Sequence, residues 1–177
     1  MSIHPKDAFV KLEKEDINFF AGVPDSLLKN FCSFIDENLD ANNHVITANE
    51  GSSIAISIGY HLATGKVPMV YMQNSGLGNA VNPLLSLADE KVYSIPILLM
   101  IGWRGEPGVK DEPQHIKQGA VTENMLEAMG IETFILDQDS SLEVLRNACI
   151  SAKKNKRPVA ILVKKGTFSE YKPKKNI

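Results

Sequence analysis

HVITANEG, residues 44–51, is the stretch on which the interpretation of the whole fold depends. Its first residues are largely apolar and β-branched, which favours a short strand. The residues after it place Ile54, Ile58 and Leu62 four apart, as on one face of a helix, and Gly65 then ends that helix. The stretch therefore predicts a strand that leads directly into a helix, with Glu50 presented in the turn between them.

Further runs of apolar residues match this strand and alternate with helical patterns along the chain. The six predicted strands lie at residues 19–22, 45–48, 69–73, 95–101, 131–136 and 159–163. Because parallel strands need a crossover between them, usually a helix, this alternation predicts a parallel sheet covered on both faces. We therefore expect an α/β fold with three α/β/α layers around a six-stranded parallel sheet.

Length and composition indicate one globular domain. The chain has 177 residues, of which 44% are hydrophobic and 23% are charged. Its net charge of -2 gives no indication of nucleic-acid binding. The longest apolar run, residues 95–103, is shorter than the roughly 20 residues that span a bilayer, and residues 1–16 are more charged than we expect of a signal peptide. We expect no membrane partner, a cytoplasmic location, and buried free thiols at Cys32 and Cys149.

The end of the chain is polar and basic. Residues 164–177 carry five lysines and a single acid, Glu170, and they have no regular apolar spacing. We therefore expect one domain at residues 1–165 and, at residues 166–177, an exposed basic tail or a linker to a further domain or subunit.

A long segment after the fourth strand differs from an ordinary connection. WRGEPGVKDEPQHIKQG, residues 103–119, contains enough glycine and proline to predict irregular structure over most of its length. Ligands bind beyond the carboxyl ends of strands in open parallel sheets, so this segment is a candidate substrate lid. The same edge is expected to collect residues 22–25, 49–51 and 73–79 from the ends of three other strands.

These segments together resemble a known family. GVPDSLL, ANEGSSIAISIGYHLATG, MQNSGLGNAVNPLLSL, WRGEPGVKDEPQHIKQG and KKGTF resemble the pyrimidine-binding domain of thiamine diphosphate enzymes. The resemblance is nearest to the phosphonopyruvate decarboxylases, with the alpha subunits of sulfopyruvate decarboxylases close to them. It covers nearly the whole chain.

The resemblance implies that Glu50 is the catalytic acid that hydrogen-bonds the aminopyrimidine ring of thiamine diphosphate. The alternative from the residues alone is that Glu50 only caps the helix that begins near Ser52. The cofactor-binding residues that the resemblance implies are Gly22, Val23, Pro24, Glu50, Gln73, Asn74, Gly76 and Gly78.

The resemblance also implies that Asp25 and His115 contact substrate and handle protons. Here Pro24 precedes Asp25 directly and Gln114 precedes His115, whereas pyruvate decarboxylases have an intervening glycine and a second histidine at these places. A phosphonate or sulfonate on the substrate needs cationic donors, and Arg104 and Lys110 are the predicted ones. The alternatives are an Arg104 pair with Glu106 or Asp111, and a solvated Lys110.

The glycines after the third strand permit a second interpretation. Gly76 and Gly78 form a Gly-x-Gly before a helix, as in a dinucleotide-binding loop, but Val81 stands where the third glycine belongs. A non-catalytic dinucleotide-binding or regulatory module is therefore the alternative to an enzyme.

The resemblance implies one half of an active site. No Gly-Asp-Gly, the family's anchor for diphosphate and Mg2+, occurs in the chain, so no metal is expected on it. The implied partner is a diphosphate-binding domain or beta subunit, and a homo-oligomer is also expected, with packing by residues 52–62 and 79–88. The implied activity is that of a carboxy-lyase of phosphonate biosynthesis, converting the 2-oxo acid 3-phosphonopyruvate to phosphonoacetaldehyde and CO2, with sulfopyruvate as the alternative substrate.

Overall fold

A computed structural model describes residues 2–174 and contains one all-parallel sheet. The strands are β1 (Phe20–Gly22), β2 (His44–Ile46), β3 (Met69–Gln73), β4 (Leu98–Gly102), β5 (Glu132–Leu136) and β6 (Val159–Val163). The helices are α1 (Pro5–Lys14), α2 (Lys29–Asn38), α3 (Glu50–Thr64), α4 (Leu77–Pro83), α5 (Pro113–Ala128) and α6 (Glu143–Asn155). A 3-10 turn (Asn74–Gly76) precedes α4, and a π-helical turn (Leu84–Ala88) follows it. The strand order across the sheet is β2-β1-β3-β4-β6-β5.

The central strands of the sheet, β1, β3, β4 and β6, are buried on both faces, which confirms the predicted three-layer fold. Successive residues of β3 belong to different cores: Met69 and Tyr71 pack in one, and Val70 and Met72 in the other. The first core is completed by α1, α2 and α6, and the second by α3, α4 and α5. A parallel strand covered on both faces has no polar side, which explains the continuous apolar runs in the sequence.

The turn between β2 and α3 forms as predicted, with one difference. Helix α3 begins at Glu50 and not near Ser52, and Asn49 is its N-cap, accepting a hydrogen bond of 2.9 Å from the Ser52 amide. Gly65 ends the helix in the left-handed conformation, at a φ of 73°. Because Asn49 caps the helix, the carboxylate of Glu50 is not required for that purpose.

The predicted irregular segment at residues 103–119 is shorter than expected. Helix α5 begins at Pro113, so His115 and Lys117 lie on a helix and only residues 103–112 form the loop. Proline suits the first helical position because its missing N–H would be unpaired there in any case. The loop folds back on α5, where the indole of Trp103 donates a 3.0 Å hydrogen bond to the Gly119 carbonyl.

The carboxyl-terminal segment is not exposed throughout. Thr167 and Phe168 are buried, Phe168 stacks on Phe31 at 5.4 Å between ring centroids, and Ile3 pairs with Phe168 in a β-bridge. The expectation of an exposed tail is wrong for these residues, although Lys172 and Lys174 do face solvent. Residues 175–177 of the predicted tail lie outside the described residues. Whether this segment leads to a further domain stays a prediction.

Both cysteines are buried free thiols, as predicted. Burial raises the pKa of Cys32 and of Cys149 to about 12, so neither is a ready nucleophile. No helix between residues 2 and 174 combines the length and the apolarity that crossing a bilayer requires.

Candidate active site

The ends of four neighbouring strands form one rim, as expected of a parallel sheet. Four side-chain contacts connect the segments that follow β1, β2, β3 and β4. Glu50 lies against Gly76, Asn74 bonds the backbone of Arg104, Arg104 reaches Ser26, and Asp25 lies against Gly102. The structure therefore brings together the segments that the sequence analysis assigned to one edge.

Glu50 stands at the first turn of α3 with one of its carboxylate oxygens held. Oε2 accepts a 2.8 Å hydrogen bond from Asn79 Nδ2, whereas Oε1 has no hydrogen-bond partner among residues 2–174. A Cβ at Gly76 would clash with this carboxylate, and a Cβ at Gly51 would come within 2.8 Å of the Asn79 carbonyl. The two glycines thus allow α3 and α4 to approach and leave a partly exposed carboxylate between them.

Asn79 is the residue that the sequence analysis missed at this site. It was included in the segments 73–79 and 79–88 but was given no role toward Glu50, because an asparagine two residues into a helix has no distinctive local signal. Its contact with Glu50 spans 29 positions along the chain. Only the packing of α4 against α3 reveals it.

Asp25 is buried beside the same rim. Its Oδ2 accepts hydrogen bonds from the amides of Leu27 and Leu28 at 2.8 and 3.1 Å, and its Oδ1 is buried with no partner in the described chain. Burial raises the pKa of Asp25 above its ordinary value, and these amides and Arg104 oppose that rise. A carboxyl group in this state can hold a proton that an exposed aspartate would have lost.

The predicted anion-binding residues differ in their surroundings. Arg104 forms a two-pronged ion pair with Asp111, so the alternative pairing with Asp111 is the one observed. Glu106 instead pairs with Lys164 at 2.7 Å. Lys110 is exposed and forms no ion pair within residues 2–174.

The predicted cofactor-binding residues after β3 also differ in what they contact. Asn74 is buried, and its amide bonds the Arg104 backbone and the hydroxyl of Thr122, so it holds the loop after β4 in place. Gln73 donates a 2.7 Å hydrogen bond to Ser75. Gly78 has open space beyond its Cα. Gly78 thus leaves room for another molecule to approach the backbone of α4.

The residues after β1 and on α5 make fewer contacts with the rim. Gly22 is required by packing, because a Cβ there would clash with Tyr71 of the neighbouring strand. Val23 donates a 3.2 Å hydrogen bond to the Tyr71 carbonyl, and Pro24 is exposed. His115 is half-buried on α5, and its imidazole forms no hydrogen bond with another described residue. Its position next to Gly105 places it at the base of the loop.

The donor set suits a heterocycle better than a metal ion. Within residues 2–174 no group of three or more His, Cys, Asp or Glu side chains is arranged to hold a metal. Glu50 supplies a single carboxylate, held by Asn79 and lying against Gly76, with one oxygen that lacks a partner among the described residues. Such a group can hydrogen-bond one ring nitrogen, which fits the aminopyrimidine of thiamine diphosphate.

Comparison with known proteins gives a consistent result. Residues 6–131 match the model of the thiamine pyrophosphate enzyme N-terminal binding domain. The chain is 33% identical over 152 residues to phosphonopyruvate decarboxylase of Streptomyces viridochromogenes, covering 85% of this chain and 37% of that protein. It is 30% identical over 162 residues to sulfopyruvate decarboxylase of Methanosarcina acetivorans, covering 91% of this chain and 40% of that protein. The chain thus spans about two fifths of the length of these two relatives.

Two further comparisons concern a shorter relative and a solved structure. The alpha subunit of sulfopyruvate decarboxylase from Methanococcus maripaludis is 33% identical over 148 residues, which cover 83% of this chain and 86% of that subunit. The crystal structure of benzoylformate decarboxylase from Polynucleobacter necessarius superposes with a TM-score of 0.74 at 19% identity, covering 99% of this chain and 32% of that one. At that identity the superposition establishes the fold alone.

Proposed function

Because this chain belongs to the thiamine pyrophosphate (thiamine diphosphate) enzymes, whose N-terminal binding domain it contains, we propose that it is the pyrimidine-binding half of a 2-oxo-acid decarboxylase. The proposed reaction converts 3-phosphonopyruvate to phosphonoacetaldehyde and CO2. The observation that carries the proposal is the Glu50 carboxylate, which Asn79 holds at the carboxyl end of β2 with one oxygen left for a ligand.

The residues of the rim have separable roles in this proposal. Bound thiamine diphosphate supplies a carbon nucleophile and an electron sink for decarboxylation. Glu50 hydrogen-bonds the pyrimidine ring and Asn79 orients Glu50, while Gly76 keeps a side chain out of the space that the Glu50 carboxylate occupies. Gly78 is proposed to let the cofactor approach the backbone of α4. Asp25, whose pKa is raised by burial, holds a proton near the substrate, and His115 is the second proposed proton-handling residue.

The diphosphate and Mg2+ belong to a partner in this proposal, since the chain has no Gly-Asp-Gly segment. The name of the Methanococcus relative, a subunit alpha, supports a separate or fused diphosphate-binding partner. The exposed side of α3 suits such a partner, or a second copy of the chain. It presents Ile56 and Leu62 at 40% and 63% exposure among the small residues Ala55 and Gly59.

Sulfopyruvate is the second candidate substrate. The match covers 86% of a sulfopyruvate decarboxylase alpha subunit, and a sulfonate requires the same kind of cationic donor as a phosphonate. Side-by-side measurement of kcat/KM on the two 2-oxo acids separates these candidates.

A dinucleotide-binding module is less consistent with the geometry. Gly78 lies inside α4 and Gly76 ends a 3-10 turn, so the two do not form a glycine-rich loop ahead of a long helix. Saturable binding of NAD by the isolated chain, without thiamine diphosphate binding in the presence of the partner, would favour this module over the enzyme.

The test mixes this chain with its diphosphate-binding half, thiamine diphosphate and Mg2+, and measures CO2 release from 3-phosphonopyruvate. We expect no turnover from this chain alone and a fall in kcat of about 100-fold in the mixture carrying Glu50→Gln, because the ring loses its acid-base partner. Glu13→Gln, an exposed acid on α1, is the matched control and should leave kcat unchanged. Undiminished activity of Glu50→Gln would contradict the proposal.

A further inference from the structure

Asp111 connects both ends of the loop at residues 103–112. Its Oδ2 accepts hydrogen bonds of 2.8 Å from Arg104 Nε and from the Gly105 amide. Its Oδ1 accepts from Arg104 Nη2 at 2.5 Å and from the Glu112 amide at 2.8 Å. The side chains of Asp111 and Arg104 are only 14% and 18% exposed, so solvent screens this pair less than an ion pair on the open surface.

Arg104 is also held from two other directions. Its Nη1 donates a 2.7 Å hydrogen bond to the hydroxyl of Ser26, the residue next to Asp25. Its backbone amide and carbonyl both bond the side chain of the buried Asn74, at 3.2 and 2.8 Å. The plane of the guanidinium is thus fixed between the loop after β4 and the loop after β1.

The contacts with Asp111 and Ser26 leave some N–H groups of the Arg104 guanidinium free to bind a ligand. Asp111 occupies the edge formed by Nε and Nη2, and each Nη nitrogen carries a second N–H that these contacts do not use. The adjacent edge, formed by Nη1 and Nη2, therefore retains N–H groups that can donate to a second anion while Asp111 and Ser26 stay bound. Ser26, which accepts the hydrogen bond from Nη1, follows Asp25 directly in the chain, and this contact places the edge at the proposed catalytic rim.

We propose that Asp111, with Ser26, is the positioning residue that aims the free edge of Arg104 at the terminal phosphonate or sulfonate of the substrate. This inference rests on the proposed function for the identity of the anion. The carboxylate of Asp111 stays ionised throughout the working pH range, because the Arg104 guanidinium beside it holds its pKa well below the usual range. Asp111 acts through Arg104 and does not itself touch the substrate.

A binding measurement on the full chain tests this without any turnover. Methylphosphonate and methanesulfonate are titrated separately while the 15N–1H signal of Arg104 Nε is followed by NMR. In the wild-type chain we expect a saturable shift of this signal, and Asp111→Asn should weaken the apparent affinity about tenfold, since a charge-assisted pair that orients the donor is lost. Ser26→Ala, which leaves the Asp111 pair intact, should weaken it about threefold. Asp7→Asn, on α1, is the control and should match the wild type.

Kinetics with the partner half then separate positioning from general loop stability. Asp111→Asn should raise KM for 3-phosphonopyruvate or sulfopyruvate about tenfold with a smaller change in kcat. Pyruvate lacks the terminal anion, so its KM should be the same in Asp111→Asn as in the wild type. If pyruvate is not turned over, its inhibition constant against 3-phosphonopyruvate should be the same in both.

The outcomes distinguish the two proposals. If Asp111→Asn weakens the binding of pyruvate as much as that of the anionic substrates, Asp111 only stabilises the loop. If Asp111→Asn leaves the affinity for the anions unchanged, Asp111 does not position Arg104, and if the affinity rises, Asp111 competes with the anion for Arg104. Each of these results overturns this inference, as does a wild-type Arg104 signal that neither anion shifts. An Arg104 response that depends on Asp111, in a complex that decarboxylates neither substrate, would support the anion site and contradict the proposed reaction.

Discussion

Replacement of Asn79 by alanine tests whether the contact between α3 and α4 serves the candidate site. Asn79 Nδ2 donates the hydrogen bond of 2.8 Å that holds Glu50 Oε2. Asn79 is exposed and not part of the core, so its loss should leave the fold intact. The variant therefore removes the orientation of Glu50 and keeps its charge.

The expected size of the effect follows from the type of bond. A hydrogen bond to a charged group contributes roughly 1.5–3 kcal/mol, and the exposure of this pair favours the lower end. About 1.5 kcal/mol corresponds to slightly more than a tenfold change in rate. We therefore expect kcat of the complex with the diphosphate-binding half to fall roughly tenfold in Asn79→Ala, with KM for the 2-oxo acid nearly unchanged.

A double-mutant cycle shows whether this effect passes through Glu50. In the Glu50→Gln background the substitution at Asn79 should add little, because the carboxylate that it orients is already gone. Asn82→Ala, on the same helix, is the matched control, since Asn82 contacts Ser86 and not Glu50. Unchanged kcat in Asn79→Ala, or fully additive losses in the double variant, would refute the argument that Asn79 orients Glu50.

Two further predictions concern the stability of the chain and are checked by thermal unfolding. Burial raises the pKa of Asp25, so the folded chain binds this proton more tightly than the unfolded chain, and stability falls as the pH rises above the ordinary value of 3.8. Asp25→Asn should therefore unfold at a higher temperature than the wild type at pH 7, and the difference between the two unfolding temperatures should shrink towards pH 4. A difference that grows on acidification would contradict a raised pKa of Asp25. Phe168→Ala should lower the free energy of unfolding by about 3 kcal/mol, because it empties a buried site that stacks on Phe31. Lys172→Ala, on the exposed part of the same segment, should leave the free energy of unfolding unchanged. Equal losses in Phe168→Ala and Lys172→Ala would mean that the segment is not packed on the core.

Local patterns in the sequence were sufficient for the fold class and for one end of the site. Apolar runs alternating with helical spacing indicated the parallel sheet, and the turn after residues 44–46 placed Glu50 at the start of α3. These features depend on residues close together in the chain, where a period of two or of 3.6 decides which side chains are buried. The two buried free cysteines followed from their positions in helical segments and from the lack of a paired spacing typical of zinc sites.

The tertiary structure alone decided which side chains meet. Strand order brings the loop after β4 beside the loop after β1, so Arg104 contacts Ser26 across 78 positions, and it places Asn79 against Glu50. Periodicity shows that a residue faces the core or the solvent, but it carries no record of which element lies opposite. That choice depends on how the crossovers arrange the strands, and it selected Asp111 over Glu106 as the partner of Arg104 and buried Phe168 in a segment whose composition favours solvent.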